Sequence, residues 1–107
     1  MPKYLFKTSF TTEGIRGVAQ DGGSERRDAA SQAAKSVGGT LEAYYFAFGS
    51  DDAYVIADLP DNEAAAALAL TVNASAGLSL ETVVLLTPEE MDAAAMRIVE
   101  YRPPGAA

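Results

Sequence analysis

Residues 41–61 read LEAYYFAFGSDDAYVIADLPD, a stretch in which two apolar runs flank a short polar turn. The runs at 41–48 and 53–59 are rich in aromatic and β-branched residues, which predicts two strands. Glycine, serine and two aspartates at 49–52 favour a tight turn, so the two strands form an antiparallel hairpin. Asp61 ends the stretch as a good N-cap for a following helix.

The rest of the chain adds one strand before this hairpin and one after it, with helical segments between them. The predicted order is a strand at 4–10, helical segments at 13–18 and 25–37, the hairpin, a helix from Asp61 to about residue 76, a strand at 80–86 and a helix from Thr87 to about residue 99. Ser24 is the expected N-cap of the second helical segment, and Thr-Pro-Glu-Glu at 87–90 is a capping box. This order predicts an α+β domain with a ferredoxin-like βαββαβ arrangement, a four-stranded antiparallel sheet and an extra C-terminal helix.

Length and hydropathy limit the class of protein. The chain has 107 residues, which suits a single domain; we place that domain at residues 1–99 and expect an extended or disordered tail at 100–107. No segment approaches the roughly 20 consecutive apolar residues that cross a bilayer, and no charged and apolar leader precedes the first strand. We therefore expect a cytoplasmic protein.

The residue types that are absent exclude several chemistries. With no cysteine and no histidine, the chain has no thiolate nucleophile, no imidazole base and no zinc–thiolate site. We expect no cofactor and no metal site. The net charge of −7 also argues against nucleic acid or an anionic membrane as a partner, since both require a clustered basic surface.

Both faces of the predicted sheet are apolar, although two helices cover only one of them. One set of alternate strand residues is assigned to the helices: Tyr4, Phe6, Leu41, Val55, Leu80, Val84 and Leu86. The other set carries Tyr44, Phe46, Phe48, Tyr54, Ile56, Val83 and Leu85. A bare apolar face of this size promotes aggregation, and an identical subunit is its simplest cover. The sequence therefore predicts a homodimer, or a higher oligomer, in which two sheets close into an α+β barrel.

The chain resembles the GYD family of small bacterial proteins. The resemblance is carried by FAFGSDDAYVIADLPD at 46–61, by the alanine-rich helix after it, and by Thr12, Gly14 and LTPEEM at 86–91. It covers residues 3–96 and implies a ferredoxin-like fold of the dimeric α+β barrel type. The Gly-x-Tyr-Asp motif that names the family reads Gly-Ser-Asp-Asp at 49–52, with Asp51 in the place of the tyrosine. The resemblance supplies no catalytic residues, because the family has no established activity.

Charged residues interrupt the otherwise apolar strands at four positions: Lys7, Glu42, Asp58 and Glu81. Strand alternation places all four on the dimer face. A carboxylate buried among aromatic rings has a raised pKa and can act as a general acid or base, which makes Asp58 the leading catalytic candidate. In the simpler interpretation, these residues sit at strand ends and form ion pairs across or beside the interface.

Three tyrosines supply the other hydrogen-bonding groups near a possible cavity: Tyr44, Tyr45 and Tyr54. Tyr54 and Tyr45 join Asp58 as catalytic candidates. Tyr44 and Tyr54 join the four charged residues as candidate ligand contacts, because an aromatic pocket with a few polar groups suits a flat organic ligand. Packing in the core and at the interface explains the same tyrosines and is the simpler interpretation.

Two glycine-containing segments can each be interpreted either as a ligand site or as a purely structural feature. The Ser-Asp-Asp sequence at 50–52 offers ligands for Mg²⁺ or Ca²⁺, but a hairpin turn accounts for the same residues. Gly-Gly-Ser at 22–24, with Arg26 and Arg27, would suit a phosphate or a carboxylate at a helix start. A break between two helical segments accounts for the glycines equally well.

Three functions stay open at this point. The first is a dimer that binds a small organic ligand, between sheet and helices or near the dimer face. The second is a cofactor-independent enzyme of monooxygenase or isomerase type that uses Asp58 and the tyrosines. The third is a structural or interaction protein with a filled barrel. An enzyme requires a pocket with a strongly perturbed carboxylate or tyrosine, whereas a structural role leaves no pocket above roughly 300 Å³.

Overall fold

A computed structural model describes residues 1–105, so the last two residues of the predicted tail lie outside it. The elements are β1 (Lys3–Phe10), α1 (Thr12–Asp21), α2 (Gly23–Ser36), β2 (Thr40–Phe46), β3 (Ala53–Asp58), α3 (Asn62–Ala74), β4 (Leu78–Leu85) and α4 (Pro88–Ala95). The strands form one antiparallel sheet in the order β2-β3-β1-β4. The predicted ferredoxin-like α+β arrangement is confirmed.

The core lies between the sheet and the helices. Its buried members come from β1, β3, α2, α3 and the end of the hairpin: Tyr4, Phe6, Ala34, Val55, Ala57, Leu59 and Ala65. α2 packs over β2 and α3 over β4, while α1 packs against α2. The hydroxyl of the buried Tyr4 donates to Asn62 Oδ1 at 2.6 Å, which satisfies the one polar group of that ring.

The break between α1 and α2 lies at Gly22, whose φ of +89° favours glycine. Ser24 is not the N-cap of α2, contrary to the prediction: the helix begins at Gly23, with Gly22 as its cap and no side-chain cap bond. The chain re-enters helical geometry directly after the single positive-φ residue, which leaves no room for an extended serine. Gly23 also lies close to β2, because a Cβ there would be 2.8 Å from the Phe46 ring, which would have to shift.

The other two of the three predicted side-chain caps are confirmed. Asp61 accepts from the Ala64 N–H at the start of α3, and Thr87 forms a complete capping box with Glu90. α4 is shorter than predicted, however, because it ends at Ala95 instead of about residue 99. Every residue from 88 to 105 is exposed, so no packing supports further turns, and the β-branched Ile98 and Val99 are weak helix formers.

A β-bulge at Glu42 corrects the assignment of β2 residues to the two faces. Leu41 pairs with Ala57 but Ala43 pairs with Ile56, so Glu42 is an extra residue in the ladder. Because side chains alternate, one extra residue exchanges the faces of everything that follows it. Tyr44 is consequently opposite the buried Val55 on the helix side, and its predicted place on the dimer face is wrong.

The same correction applies to Phe46, which is paired with Ala53 on the helix side. Tyr45 moves the other way and is opposite Tyr54. Phe48 lies beyond the strand and is fully exposed. In β1, β3 and β4 the predicted alternation matches the observed register.

Candidate functional site

The sheet face turned away from the helices has an apolar centre between two charged rows. We call it the open face and define it by Lys3, Leu5, Lys7, Ala43, Tyr45, Tyr54, Ile56, Asp58, Glu81, Val83 and Leu85, with Glu42 at its edge. In the central row Leu5 lies between Ile56 and Val83. All three are only partly buried, so the face has an apolar surface that this chain alone does not cover.

One charged row is organised by a lysine that was not among the predicted site residues. Lys3 Nζ donates to Glu42 Oε1 and, at 2.9 Å, to Asp58 Oδ1. Hydrogen bonds to Glu42 first and Asp58 second raise the pKa of Lys3 above its usual value. Asp58 therefore has a cationic partner in Lys3. This geometry corresponds to the ion-pair interpretation and leaves Asp58 poorly placed to act as a free general base.

The other charged row contains Lys7 between Tyr54 and Glu81, its register neighbours on β3 and β4. Its ion-pair partner is neither of them: Lys7 Nζ lies 3.6 Å from Asp51 Oδ2 in the hairpin turn. The two rows are separated by the central apolar row. The structure therefore places Lys7, Glu42, Tyr54, Asp58 and Glu81 on one face but divides them between two separate clusters.

The acidic hairpin turn is used for structure. Asp52 Oδ2 accepts from the Phe10 N–H at 2.8 Å, and the Asp52 N–H donates to the Thr8 carbonyl at 2.8 Å. Asp52 thus attaches the turn to the end of β1, while the neighbouring Asp51 pairs with Lys7. Within residues 1–105 no three carboxylates come together in a way that would hold a metal ion.

A cavity of about 100 Å³ lies between the sheet and helices α2 and α3. We call it the helix-side cavity. Its walls are mostly alanine and aliphatic side chains from both layers, and three residues with polar side chains also line it: Thr8, Arg26 and Tyr44. The short side chains of Ala29, Ala30 and Ala33 on α2 leave the space that larger residues would fill.

The polar groups of the helix-side cavity are held in an apolar setting. Burial raises the pKa of Tyr44, and the charge and hydrogen bonding of Arg26 oppose that shift only in part. Tyr44 consequently stays protonated and keeps its O–H as a donor. Arg26 Nε is buried and has no hydrogen-bond partner among the residues that the structure describes.

A second cavity, of about 160 Å³, lies between α1 and the loop before β4. Arg26 lines both cavities and therefore stands between them. The second cavity has a carboxylate of its own, from Asp21, and its walls include Gly14, Gly17 and Gly77. An acidic group there makes this second space unfavourable for an anion.

Sequence reasoning identified only part of these groups. Tyr44 lines a cavity, but on the opposite face from the one predicted, and Tyr45 is exposed. Lys3 was missed, although it has the same alternation as Lys7. Arg26 was considered as an anion ligand beside Arg27, and the structure separates the two: Arg26 enters the cavity, while Arg27 is exposed beside Asp28.

Comparison with known proteins identifies one family. The model of the GYD domain matches residues 4–95, which is most of the chain. No curated protein and no solved structure matches this chain. Among residues 1–105, every helix is too short or too polar to cross a bilayer.

Proposed function

The chain belongs to the GYD domain family, and from the geometry of its own residues we propose that it is a homodimer that binds a small organic ligand in the helix-side cavity without a cofactor. The observation that carries the proposal is the convergence of Thr8, Arg26 and Tyr44 on an otherwise apolar space. Ligand sites commonly combine apolar walls with a few polar groups that fix orientation.

The size of the cavity limits the ligand. Sites for drug-sized molecules measure roughly 300 to 1,000 Å³, whereas an engineered cavity of about 150 Å³ admits benzene. The space of about 100 Å³ in this chain therefore accepts a molecule no larger than benzene, or one end of a longer molecule.

The homodimer part of the proposal is supported by the open face. Its central row is aliphatic, and its charges nearly balance, with Lys3 and Lys7 against Glu42, Asp58 and Glu81. Two such faces can pack together without bringing a large excess of one charge into the interface, and twofold packing of one surface on itself is the commonest form of assembly.

The C-terminal segment gives independent support for a second copy. Its exposed apolar side chains are Met91, Met96, Ile98, Val99 and Tyr101. The radius of gyration is 17.1 Å, well above the roughly 13 Å of a compact domain near this length, so the chain is elongated. An apolar segment exposed in one chain is stabilised when a partner covers it.

The net charge and the amino-acid composition bear on the partners and the cellular location that we propose. A net charge of −7 disfavours nucleic acid and anionic membranes as partners. A cytoplasmic location belongs to this proposal as well, and a chain without cysteine is compatible with a reducing compartment.

A purely structural or interaction protein is the second candidate, and the small volume of the helix-side cavity favours it. A cofactor-independent monooxygenase or isomerase has less support. Asp58 is paired with Lys3, and the raised pKa of Tyr44 keeps it protonated, so it has no phenolate to accept a proton. Neither residue therefore matches the activated group that such an enzyme would require.

Native mass spectrometry of the freshly purified protein, followed by the denatured sample, tests the proposal. We expect a dimer that carries a small additional mass, and we expect that mass to disappear on denaturation. A dimer without added mass, even after incubation with small organic compounds, would favour the structural candidate. A monomer at micromolar concentration would overturn the assembly.

A further inference from the structure

We propose that the ligand of the helix-side cavity is a small organic monocarboxylate whose carboxylate binds Arg26. This inference rests on the proposed function, because it names the chemical class of the ligand at that site. Its starting point is Arg26 Nε, a buried donor without a hydrogen-bond partner among residues 1–105.

Arg26 is only partly buried as a residue, but its Nε is buried, and a buried N–H donor requires an acceptor. Leaving such a donor without an acceptor costs free energy, so buried donors are normally paired within the protein, with ordered water or with a ligand. Arg26 makes none of the ion pairs found among the described residues. The Tyr44 hydroxyl beside it is a neutral group, which leaves the positive charge without a counter-ion in the cavity.

The charge of the site selects a monoanion. One guanidinium compensates one negative charge, and the apolar remainder of the wall supplies no second cation. A phosphate monoester carries close to two negative charges and would bury one of them without compensation. A carboxylate matches the planar, forked donors of arginine, and the Tyr44 and Thr8 hydroxyls are further donors at the same cavity.

The body of the ligand must be short and apolar. The apolar walls include Leu41, Val55, Leu68 and Leu80. With about 100 Å³ available, a chain of a few carbons attached to the carboxylate fits this surface. The neighbouring cavity does not compete for the carboxylate, because Asp21 would repel it.

Butyrate and butyramide are suitable probes, because they have the same shape and differ in charge. Each is titrated into the ¹⁵N-labelled protein, with sodium chloride as the ionic-strength control for sodium butyrate. We expect butyrate to bind at least about tenfold more tightly than butyramide, the effect of one charge-assisted hydrogen bond. Amide shifts at Ala30, Ala33 and Tyr44 should mark the site.

Arg26→Gln should reduce the affinity for butyrate to that for butyramide and leave butyramide binding unchanged. Arg27→Gln is the matched control, because it removes the same charge from an exposed position of the same helix and should preserve the preference. In the unaltered protein, the Arg26 Nε–H resonance should shift with butyrate and not with butyramide, which tests the contact even if Arg26→Gln folds poorly.

The outcomes separate the inference from the proposed function. Equal binding of the two probes, or a preference that survives Arg26→Gln, would overturn the carboxylate assignment while leaving a ligand site in place. Binding of neither probe would overturn the carboxylate assignment, and together with a dimer that carries no added mass it would overturn the ligand site as well.

Discussion

The backbone of Gly14 in α1 lies directly against the carbonyl of Gly77, so that a Cβ at position 14 would be only 1.9 Å from the Gly77 oxygen. The Thr11 N–H donates to the same oxygen at 2.9 Å. The start of α1 is therefore fastened to the loop before β4. Since the obstructing atom is backbone, it cannot move aside as a flexible side chain would.

Gly14→Ala should lower the free energy of unfolding by about 2 kcal/mol or more, because relief of the overlap requires α1 to separate from the Gly77 loop. Gly17→Ala in the same helix is the control. No atom lies within 4 Å of a Cβ at Gly17, and alanine is the better helix former, so this variant should gain up to about 1 kcal/mol. Urea denaturation measures both. Equal effects of the two substitutions would contradict the close approach at Gly14.

The two helix caps should have different consequences, because α3 contributes to the core and α4 does not. Asp61→Ala should lower the global stability by about 1 kcal/mol. Thr87→Ala should disorder α4, seen as amide shifts at Ala93–Ala95 moving to random-coil values, and leave the Tm of a dilute, monomeric sample unchanged. A large fall in Tm for Thr87→Ala would mean that α4 packs on the domain.

The capping box of α4 should also depend on pH. A hydrogen bond from the Thr87 backbone lowers the pKa of Glu90 below its ordinary value of 4.5. A carboxylate whose pKa is lowered in the folded helix stabilises that helix at pH values above its ordinary pKa. This stabilisation is lost as the pH falls through the pKa of the folded state. We therefore expect α4 to lose order below about pH 4.5, and Glu90→Gln to remove most of that pH dependence. An unchanged profile in Glu90→Gln would exclude this carboxylate as its source.

Ile56 in the central row of the open face is the position at which to test the dimer. Ile56→Asp adds one charge to each copy at the centre of the proposed interface, which should raise the dimer dissociation constant by at least about a hundredfold. Leu70→Asp is the matched control, because Leu70 is largely exposed on α3, on the opposite side of the sheet. Sedimentation over a concentration series compares the two variants. Dissociation by both, or by neither, would place the interface elsewhere.

The fold could be derived from local signals in the sequence, but the assignment of β2 residues to the two faces of the sheet could not. The hairpin at 41–61 and the caps at Asp61 and Thr87 each depend on residues close together in the chain. The bulge at Glu42 depends on how β2 meets β3, and nothing in the local pattern marks the extra residue. That single residue exchanged Tyr44 and Tyr45 between the two faces.

The prediction of the candidate site was limited for the same reason, because the sequence pattern carries no information about long-range contacts. Arg26 and Arg27 are adjacent in the sequence and both lie near a helix start, so composition treats them alike. Only the packing of α2 on the sheet determines which one enters the cavity. Likewise, a lysine partner for Asp58 was foreseeable, but only the register of β1 and β3 selects Lys3 over Lys7.

Deletion of the chain after Ala95 tests the role of the exposed C-terminal segment. The truncation removes Met96, Ile98, Val99 and Tyr101, none of which is buried in the single chain. We expect the Tm of a dilute, monomeric sample to change little, and the dimer dissociation constant to rise. An unchanged dissociation constant would show that the segment does not take part in assembly.

Arg26→Met should stabilise the ligand-free protein, in contrast to most substitutions of buried residues. Methionine places an apolar methyl group at about the position of Nε, so the unpaired donor is removed from the apolar cavity while most of the side-chain packing is kept. Substitutions that relieve such local unfavourable features typically add roughly 0.5–2 kcal/mol. Arg27→Met, at the exposed neighbouring position, should change stability by less than about 0.5 kcal/mol. Urea denaturation of both variants without added ligand gives the comparison. If Arg26→Met instead destabilises the protein by more than about 1 kcal/mol, Arg26 contributes to the fold itself, and the argument that it is kept for a ligand fails.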